Sequence, residues 1–292
     1  MAVTVEILID HKMNIKGHRM LNAMAESADT AGVKATVTRE YRGAAHVLMM
    51  YGVGHPVKMI QWKDHLLSGR PCVGWDLGYY GRGDNNSYPM RLTINAFHPQ
   101  HLMADDADPS RWDATAKPLR NEFNPDGHIV LCGMGRKSRH QYGIDGNWWE
   151  RKRLEQLKRA YPGVPLIYRP KSGATETVGI RMDINSPIES VIRGARMVVV
   201  RHSNVAIDAC LAGIPVVCED GAASKLYGAD ICNPKNPSME ERLRFLRSLA
   251  WWQYRPTESL VCWQHILSVL TSAQATSALP VGSQSTQTAR QT

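Results

Sequence analysis

The run Arg201-His202-Ser203-Asn204-Val205-Ala206-Ile207-Asp208-Ala209-Cys210-Leu211-Ala212-Gly213-Ile214-Pro215-Val216-Val217 sets a polar turn, a short helix, a glycine stop and a buried strand in succession. Upstream, Arg196 to Val200 reads as a β-branched buried strand, so the Ser203-Asn204 turn falls at a strand's carboxyl end, where open α/β sheets bind ligands. The helix that follows directs its free N–H groups and the positive end of its dipole toward that place, which suits a phosphate. Ser203 or Asn204 is placed to cap the helix or to donate to the same anion. Asp208, about one turn in, reaches a ribose lying across the helix end. The plain alternative is an ordinary strand-helix-strand unit with a capping Ser/Asn and a solvated Asp.

Two further strand ends carry cations. Strand His128 to Cys132 leads into Gly133-Met134-Gly135-Arg136-Lys137-Ser138-Arg139, where two glycines allow close backbone approach and the basic residues suit a diphosphate. A third glycine of a dinucleotide loop and a Gly-Lys-Ser/Thr phosphate loop are both missing, so a flexible basic surface loop is the competing reading. Ile167-Tyr168-Arg169-Pro170-Lys171 ends the next strand, and Pro170 keeps Arg169 extended at the sheet's edge. In a parallel sheet such ends gather at one crevice, so Gly135, Arg136, Arg169, Lys171, Arg201, Ser203, Asn204 and Asp208 form the candidate site for a nucleotide diphosphate.

The elements that must position these groups repeat along the chain. Apolar runs at Val5–Ile9, Lys34–Val37, His46–Tyr51, Pro71–Trp75, His128–Cys132, Pro165–Tyr168, Arg196–Val200 and Pro215–Cys218 predict strands. Helical patterns at Gly17–Ala31, Pro56–Ser68, Trp148–Ala160 and Ser186–Ala195 lie between several of them. That alternation predicts parallel α/β architecture. Ala104–Asp126, polar and broken by Pro109, Pro118 and Pro125, marks a boundary between two such domains facing a cleft. Ser238–Trp251 and Thr257–Leu270 read as closing amphipathic helices, the second capped by Thr257. Residues 271–292 have the composition of a disordered tail.

With 292 residues the chain can bury a large core. Its start lacks a basic leader and its apolar runs are too short to span a membrane, which predicts a cytoplasmic protein without a membrane partner. The six scattered cysteines suit reduced, buried thiols and show no zinc spacing. A formal charge of +8 favours polyanionic partners.

The run from Ser203 to Val216 resembles the donor-binding motif of GT-B glycosyltransferases, in which a serine-rich turn precedes a helix with an acidic residue and then Gly-x-Pro-Val. Here the acid is Asp208 where Glu is usual, which shortens its reach. Arg244-Phe245-Leu246-Arg247-Ser248-Leu249-Ala250-Trp251-Trp252-Gln253, with Glu258 and Trp263, is similar to the closing helices of phage and capsule-type members. The resemblance implies two Rossmann-like domains. Residues 1–118 would hold the acceptor, 119–256 the nucleotide sugar, and 257–270 a helix crossing back to the first domain. It also implies a nucleoside-diphosphate sugar, UDP-glucose being the expected donor, whose phosphates meet Arg136, Arg169, Ser203 and Asn204 and whose ribose meets Asp208.

A transferase of that kind needs a base for the acceptor hydroxyl. Asp76, at a strand end beside a glycine-rich aromatic loop, is the first candidate, and His18, near Lys16-Gly17, the second; Asp10 and His11 lie in the same turn. An Asp satisfying turn amides is the alternative for Asp76. Tyr79, Tyr80, Arg82, Asn85, Asn86, Tyr88 and Arg91, together with Lys16, mix aromatic, basic and amide groups that suit stacking on bases or on sugar rings. Taken with the basic helix of Arg151, Lys152, Arg153, Lys158 and Arg159 and with the resemblance to phage members, they make double-stranded phage DNA carrying hydroxymethylpyrimidines the expected acceptor. A surface polysaccharide acceptor, a nucleotide-sugar epimerase and an inactive nucleic-acid-binding module are the alternatives. No tightly held cofactor is expected, and no Asp-x-Asp motif calls for Mg²⁺, although the ion is compatible with such a donor.

Overall fold

The first sheet of the computed structural model begins with β1 (Thr4–Leu8), followed by helix α1 (Ile15–Ser27), β2 (Lys34–Thr38), β3 (Val47–Tyr51), α2 (Pro56–Leu67), β4 (Cys72–Leu77) and β5 (Met90–Ile94). The described residues are 3–10, 13–82, 88–115, 117–171 and 178–275. After the short helix α3 (Ser110–Asp113), a second unit runs β6 (Ile129–Cys132), α4 (Arg136–Tyr142), α5 (Trp148–Ala160), β7 (Leu166–Arg169), α6 (Ile188–Ile192), β8 (Met197–Val200), α7 (Val205–Ala212), β9 (Val216–Cys218) and α8 (Ser224–Tyr227). The chain closes with α9 (Met239–Ala250), β10 (Gln253–Tyr254), a 3₁₀ turn at Pro256–Glu258 and α10 (Ser259–Ala275).

Two mainly parallel sheets result, the fold class that the alternating pattern predicts. The second, ordered β7-β6-β8-β9, is parallel throughout, and every residue of β6, β8 and β9 is buried. Strands covered on both faces need unbroken apolar runs, and Ile129–Cys132 and Met197–Val200 supply them. The first sheet is ordered β10-β5-β4-β3-β1-β2 and departs from the all-parallel expectation, since β5 pairs antiparallel with β4 and β10 antiparallel with β5. Strand order reverses at β1/β3 in the first sheet and at β6/β8 in the second, so both sheets have a switch point, the usual place for a ligand.

Local boundaries follow from capping. Gly213 stops α7 with φ of 76°. A side chain there would collide with the Arg120 carbonyl, 2.6 Å from the position of a Cβ. The expected basic loop after Gly133 is instead helix α4 from Arg136. The helix expected over Ser186–Ala195 shrinks to Ile188–Ile192, because Pro187 and the left-handed Gly194 bound it. Arg255, not Thr257, precedes the last helical segment, which runs on through Ala275 into the stretch read as a tail.

The return to the first sheet occurs at Gln253–Tyr254, before residue 257. Already in α9 the chain packs on α3. Helix α10 lies on α1, where Trp263 donates from its indole to the Met24 carbonyl at 2.8 Å. Arg111 ties the crossing down, with bonds to the carbonyls of Ala250 and Gln253, an ion pair to Glu258 at 2.9 Å and its plane over Tyr254. Among the described residues no helix is long and apolar enough to cross a membrane. All six cysteines are unpaired, and only Cys232 is exposed.

Candidate active site in the interdomain cleft

The carboxyl ends of the two sheets face each other. Asn204, at the start of α7, donates its amide to the Gly78 carbonyl at 3.0 Å. Asp208 accepts from Arg82 at 2.6 Å, and Gln100 donates to the Asp220 carbonyl at 3.3 Å. His98 and His202 approach ring to ring across the seam at 5.6 Å. Each of these contacts joins a residue after β4 or β5 to one after β8 or β9.

On the second domain's side, a buried ion pair builds the turn after β6. Glu150, fully buried on α5, accepts from the Met134 amide at 2.8 Å and from Arg139 at 3.0 Å. Arg139 is thereby committed to shaping the Gly133–Gly135 turn and is unavailable to a diphosphate. Arg136 and Lys137 stay exposed on the first turn of α4. Lys171 lies against Gly135, its Cγ 3.1 Å from where a Cβ there would stand. Arg169 binds the carbonyl and carboxylate of Asp183, at 2.9 and 3.3 Å. Arg169, Lys171 and Asp208 all lie within electrostatic reach of the Cys132 thiol at the end of β6.

Besides Arg169, two further expected donor ligands are occupied. Arg201 pairs with Asp220 at 2.9 Å and Glu219 at 3.4 Å and stacks on Tyr142 at 4.3 Å. Glu219 also takes Arg153 and the Trp149 indole, so Arg201 belongs to a network that holds β8, β9 and α5 together. Asp208 is held by Arg82 rather than open to a ribose. Neither Ser203 nor Asn204 caps α7 in the usual way. The Ser203 hydroxyl accepts from the Val205 amide at 3.3 Å, while the Asn204 side chain turns to Gly78.

On the first domain's side, Asp76 ends β4 with its side chain 48% exposed, beside Arg91 at 2.8 Å. Its Oδ1 accepts from the Leu77 amide at 2.7 Å, so the carboxylate serves the turn and still faces the cleft. His18 is half-buried on α1. Lys16 sits over the Tyr88 ring at 3.3 Å. Tyr79 and Tyr80 correct the acceptor expectation, for both are buried: the Tyr79 amide binds Gln253, and the Tyr80 ring packs edge-on against Trp112. Neither ring can stack on a base or a sugar. Arg82 is engaged by Asp208, and His11, Asn85 and Asn86 lie outside the described residues.

Sequence reasoning passed over His202, whose signal was its place between Arg201 and Ser203 in the turn already singled out. Burial pushes its pKa from the usual 6.5 to about 4, helped by Arg91, Arg201 and Lys171 and opposed by Asp76. The imidazole is therefore neutral at pH 7, surrounded by cations of both domains. His98 behind it is held neutral by burial and by Arg91, which approaches its Nδ1 at 3.3 Å. Such a cleft suits an anion, and on its first-domain side the Asp76 carboxylate, paired with Arg91, is half exposed. Among the described residues no group of three His, Cys, Asp or Glu side chains could hold a metal ion.

No protein-family model matches the sequence, and no curated protein does either. Among the solved structures that match the fold are two parts of one protein, each covered over nearly its whole length. The β-Kdo 2,7 transferase of KpsC from Thermosulfurimonas dismutans gives a TM-score of 0.53 at 13% identity, covering 91% of this chain and 99% of that one. The β-Kdo 2,4 transferase of the same KpsC gives 0.54 at 10% identity, covering 90% and 98%. Two parallel-sheet domains meeting at their strand ends, tied by a C-terminal helix that returns to the first domain, make this a protein of the GT-B glycosyltransferase fold.

Proposed function

We propose that this protein is a glycosyltransferase that moves a sugar from a nucleotide-activated donor to a hydroxyl of a carbohydrate acceptor. One observation carries the reading: Arg91 of the first domain and Lys171 and Arg201 of the second lie within electrostatic reach of the buried His202, and so does the Asp76 carboxylate from the opposite side of the cleft. The donor's phosphates lie against the Gly135 turn, Arg136, Lys171 and the N-terminus of α7, with Ser203 and Asn204 beside them. Asp208 takes the ribose once Arg82 has moved off it. Asp76 removes the acceptor's hydroxyl proton as that oxygen bonds to the anomeric carbon, and the bond from that carbon to the phosphate oxygen breaks with its electron pair leaving on the diphosphate. The cations and the helix end stabilise that developing charge, so the step needs no metal. A single displacement of this kind inverts the anomeric centre. The first donor to try is UDP-glucose.

Duplex DNA bearing hydroxymethylpyrimidines is a second acceptor, favoured by the chain's charge of +8. Burial of Tyr79 and Tyr80 takes away the stacking surface that supported it. The test is to incubate the protein with a panel of nucleotide sugars, UDP-glucose included, and separately with oligosaccharides, hydroxymethylated duplex and unmodified duplex, and to weigh the products. Glycosylated oligosaccharide supports the proposal; glycosylated nucleoside selects the DNA reading. Epimerised donor without acceptor would identify an epimerase. Salt-dependent DNA binding with the donor untouched would overturn the enzyme reading altogether.

A further inference from the structure

The proposed transfer leaves one buried amine unused. Lys58, in the first turn of α2, is 8% exposed and donates from Nζ to the Tyr51 carbonyl at 2.9 Å. An ammonium with so little water around it is costly unless charge nearby compensates for it. Here burial lowers its pKa, Asp10 at the end of the β1 run pulls it back, and a second ammonium, Lys137, pushes the same way as burial. Lys137 comes from the other domain. Helix α4 brings it over the turn before α2, where its Cβ is 3.7 Å from the position a Cβ on Gly54 would take. Two cations from two domains thus converge where Asp10 is the carboxylate acting on Lys58.

The location sharpens the meaning of that excess charge. Tyr51 is the last residue of β3, and β3 and β1 flank the reversal of strand order in the first sheet. On the other side of β3 lies β4, with Tyr51 opposite Trp75 and Asp76 one residue further, and neighbouring strands stand about 4.8 Å apart. The Tyr51 ring packs on Gly17 of α1 so closely that a Cβ there would fall 2.5 Å from it. The charge of Asp76 reaches the Tyr51 hydroxyl. Asp76 near the end of β4, Tyr51 at the end of β3 and Lys58, bonded to the Tyr51 carbonyl, therefore stand in succession at the sheet's carboxyl edge.

We infer that Lys58 and Lys137 form an anion subsite of the acceptor cleft, and that the carbohydrate acceptor bears a carboxylate or phosphate near the hydroxyl it presents to Asp76. The inference rests on the reading of the cleft as a sugar-transfer site, but its test does not need turnover. Glucuronate, glucose 6-phosphate and glucose are titrated into the full chain and followed by NMR. The anionic sugars are expected to bind at least tenfold more tightly than glucose, and whichever of the two binds more tightly identifies the anionic group. Lys58→Met keeps the length and apolar stem of the buried side chain, and Lys137→Gln changes an exposed position that the fold does not depend on. Each is expected to remove most of the anionic advantage while glucose binding stays as it was.

Equal binding of all three sugars, or no binding of the anionic ones, would overturn the subsite. So would an advantage that survives Lys137→Gln and Lys58→Met but disappears in Lys171→Ala, because the anion would then occupy the donor side. If the advantage behaves as expected while no donor releases its nucleotide with any acceptor, the transferase reading fails and the subsite stands.

Discussion

Replacing Arg82 with Met should loosen the seam between the domains and at the same time tighten nucleotide binding. The Asp208 side chain is 12% exposed and that of Arg82 30%. Burial pushes the Asp208 carboxyl up, and Arg82 is the largest influence holding it down. Hydrogen bonds to charged groups contribute roughly 1.5–3 kcal/mol, and the partial exposure of Arg82 puts this pair at about 2 kcal/mol. Losing it should lower the melting temperature by roughly 4 °C. A ribose that takes Asp208 must first displace Arg82, so removing the competitor should strengthen binding by about thirtyfold, at 1.4 kcal/mol per factor of ten. Calorimetric titration of UDP into the wild type, Arg82→Met and Asp208→Asn would measure this. Working at pH 8 favours the ionised carboxylate, since Arg82→Met removes the charge that most opposes the upward push of burial. Asp208→Asn should weaken binding. Unchanged or weaker UDP binding in Arg82→Met would refute the view that Arg82 competes with the nucleotide.

Glu150→Gln should destabilise the protein by about 3 kcal/mol, since it removes the buried carboxylate charge that faces the Arg139 guanidinium; Arg139→Met/Glu150→Met should recover most of that loss in a thermal melt. Asp76→Asn should slow transfer at least about a hundredfold with nucleotide affinity unchanged, which single-turnover and binding measurements separate. Lys171→Ala should raise the donor KM about tenfold and leave the melting temperature alone, because its side chain is exposed beside the Gly135 turn. Stability should fall as pH drops from 6.5 toward 4. His202 and His265, both depressed to about 4, stay neutral in the folded state while the unfolded chain takes up protons. Each contributes a slope of up to about 1.4 kcal/mol per pH unit, and His265→Gln should flatten the denaturant-measured profile.

The parallel core was legible because Val, Ile, Leu and Cys runs such as Ile129–Cys132 and Met197–Val200 can only be buried strands. Met90–Ile94 was not, since Arg91 and Thr93 break its apolar pattern, and Gln253–Tyr254 is too short to leave any pattern at all. The site was legible as a set of strand ends but not as a set of charges. A sequence shows a cation without its counter-ion: Glu150, Asp183, Glu219 and Asp220, which engage Arg139, Arg169 and Arg201, stand 11 to 19 residues away along the chain. Tyr79 and Tyr80 look like a binding loop because the residues that bury them, Gln253 and Trp112, come from elsewhere in the chain. Lys58 looks like an ordinary helix lysine until β3 and α4 close around it.

The two residues of β10 give the molecule a particular order of assembly. The edge of β5 waits, unpaired, until more than 150 further residues have been synthesised, since Met90 meets Tyr254 and Arg91 meets Gln253. A ribosome therefore releases an amino-terminal half whose sheet is unfinished, while the strands of the second sheet are drawn from one continuous segment. Cutting the gene between the two sheets should yield an aggregation-prone first half, with the bare β5 edge as the sticking point.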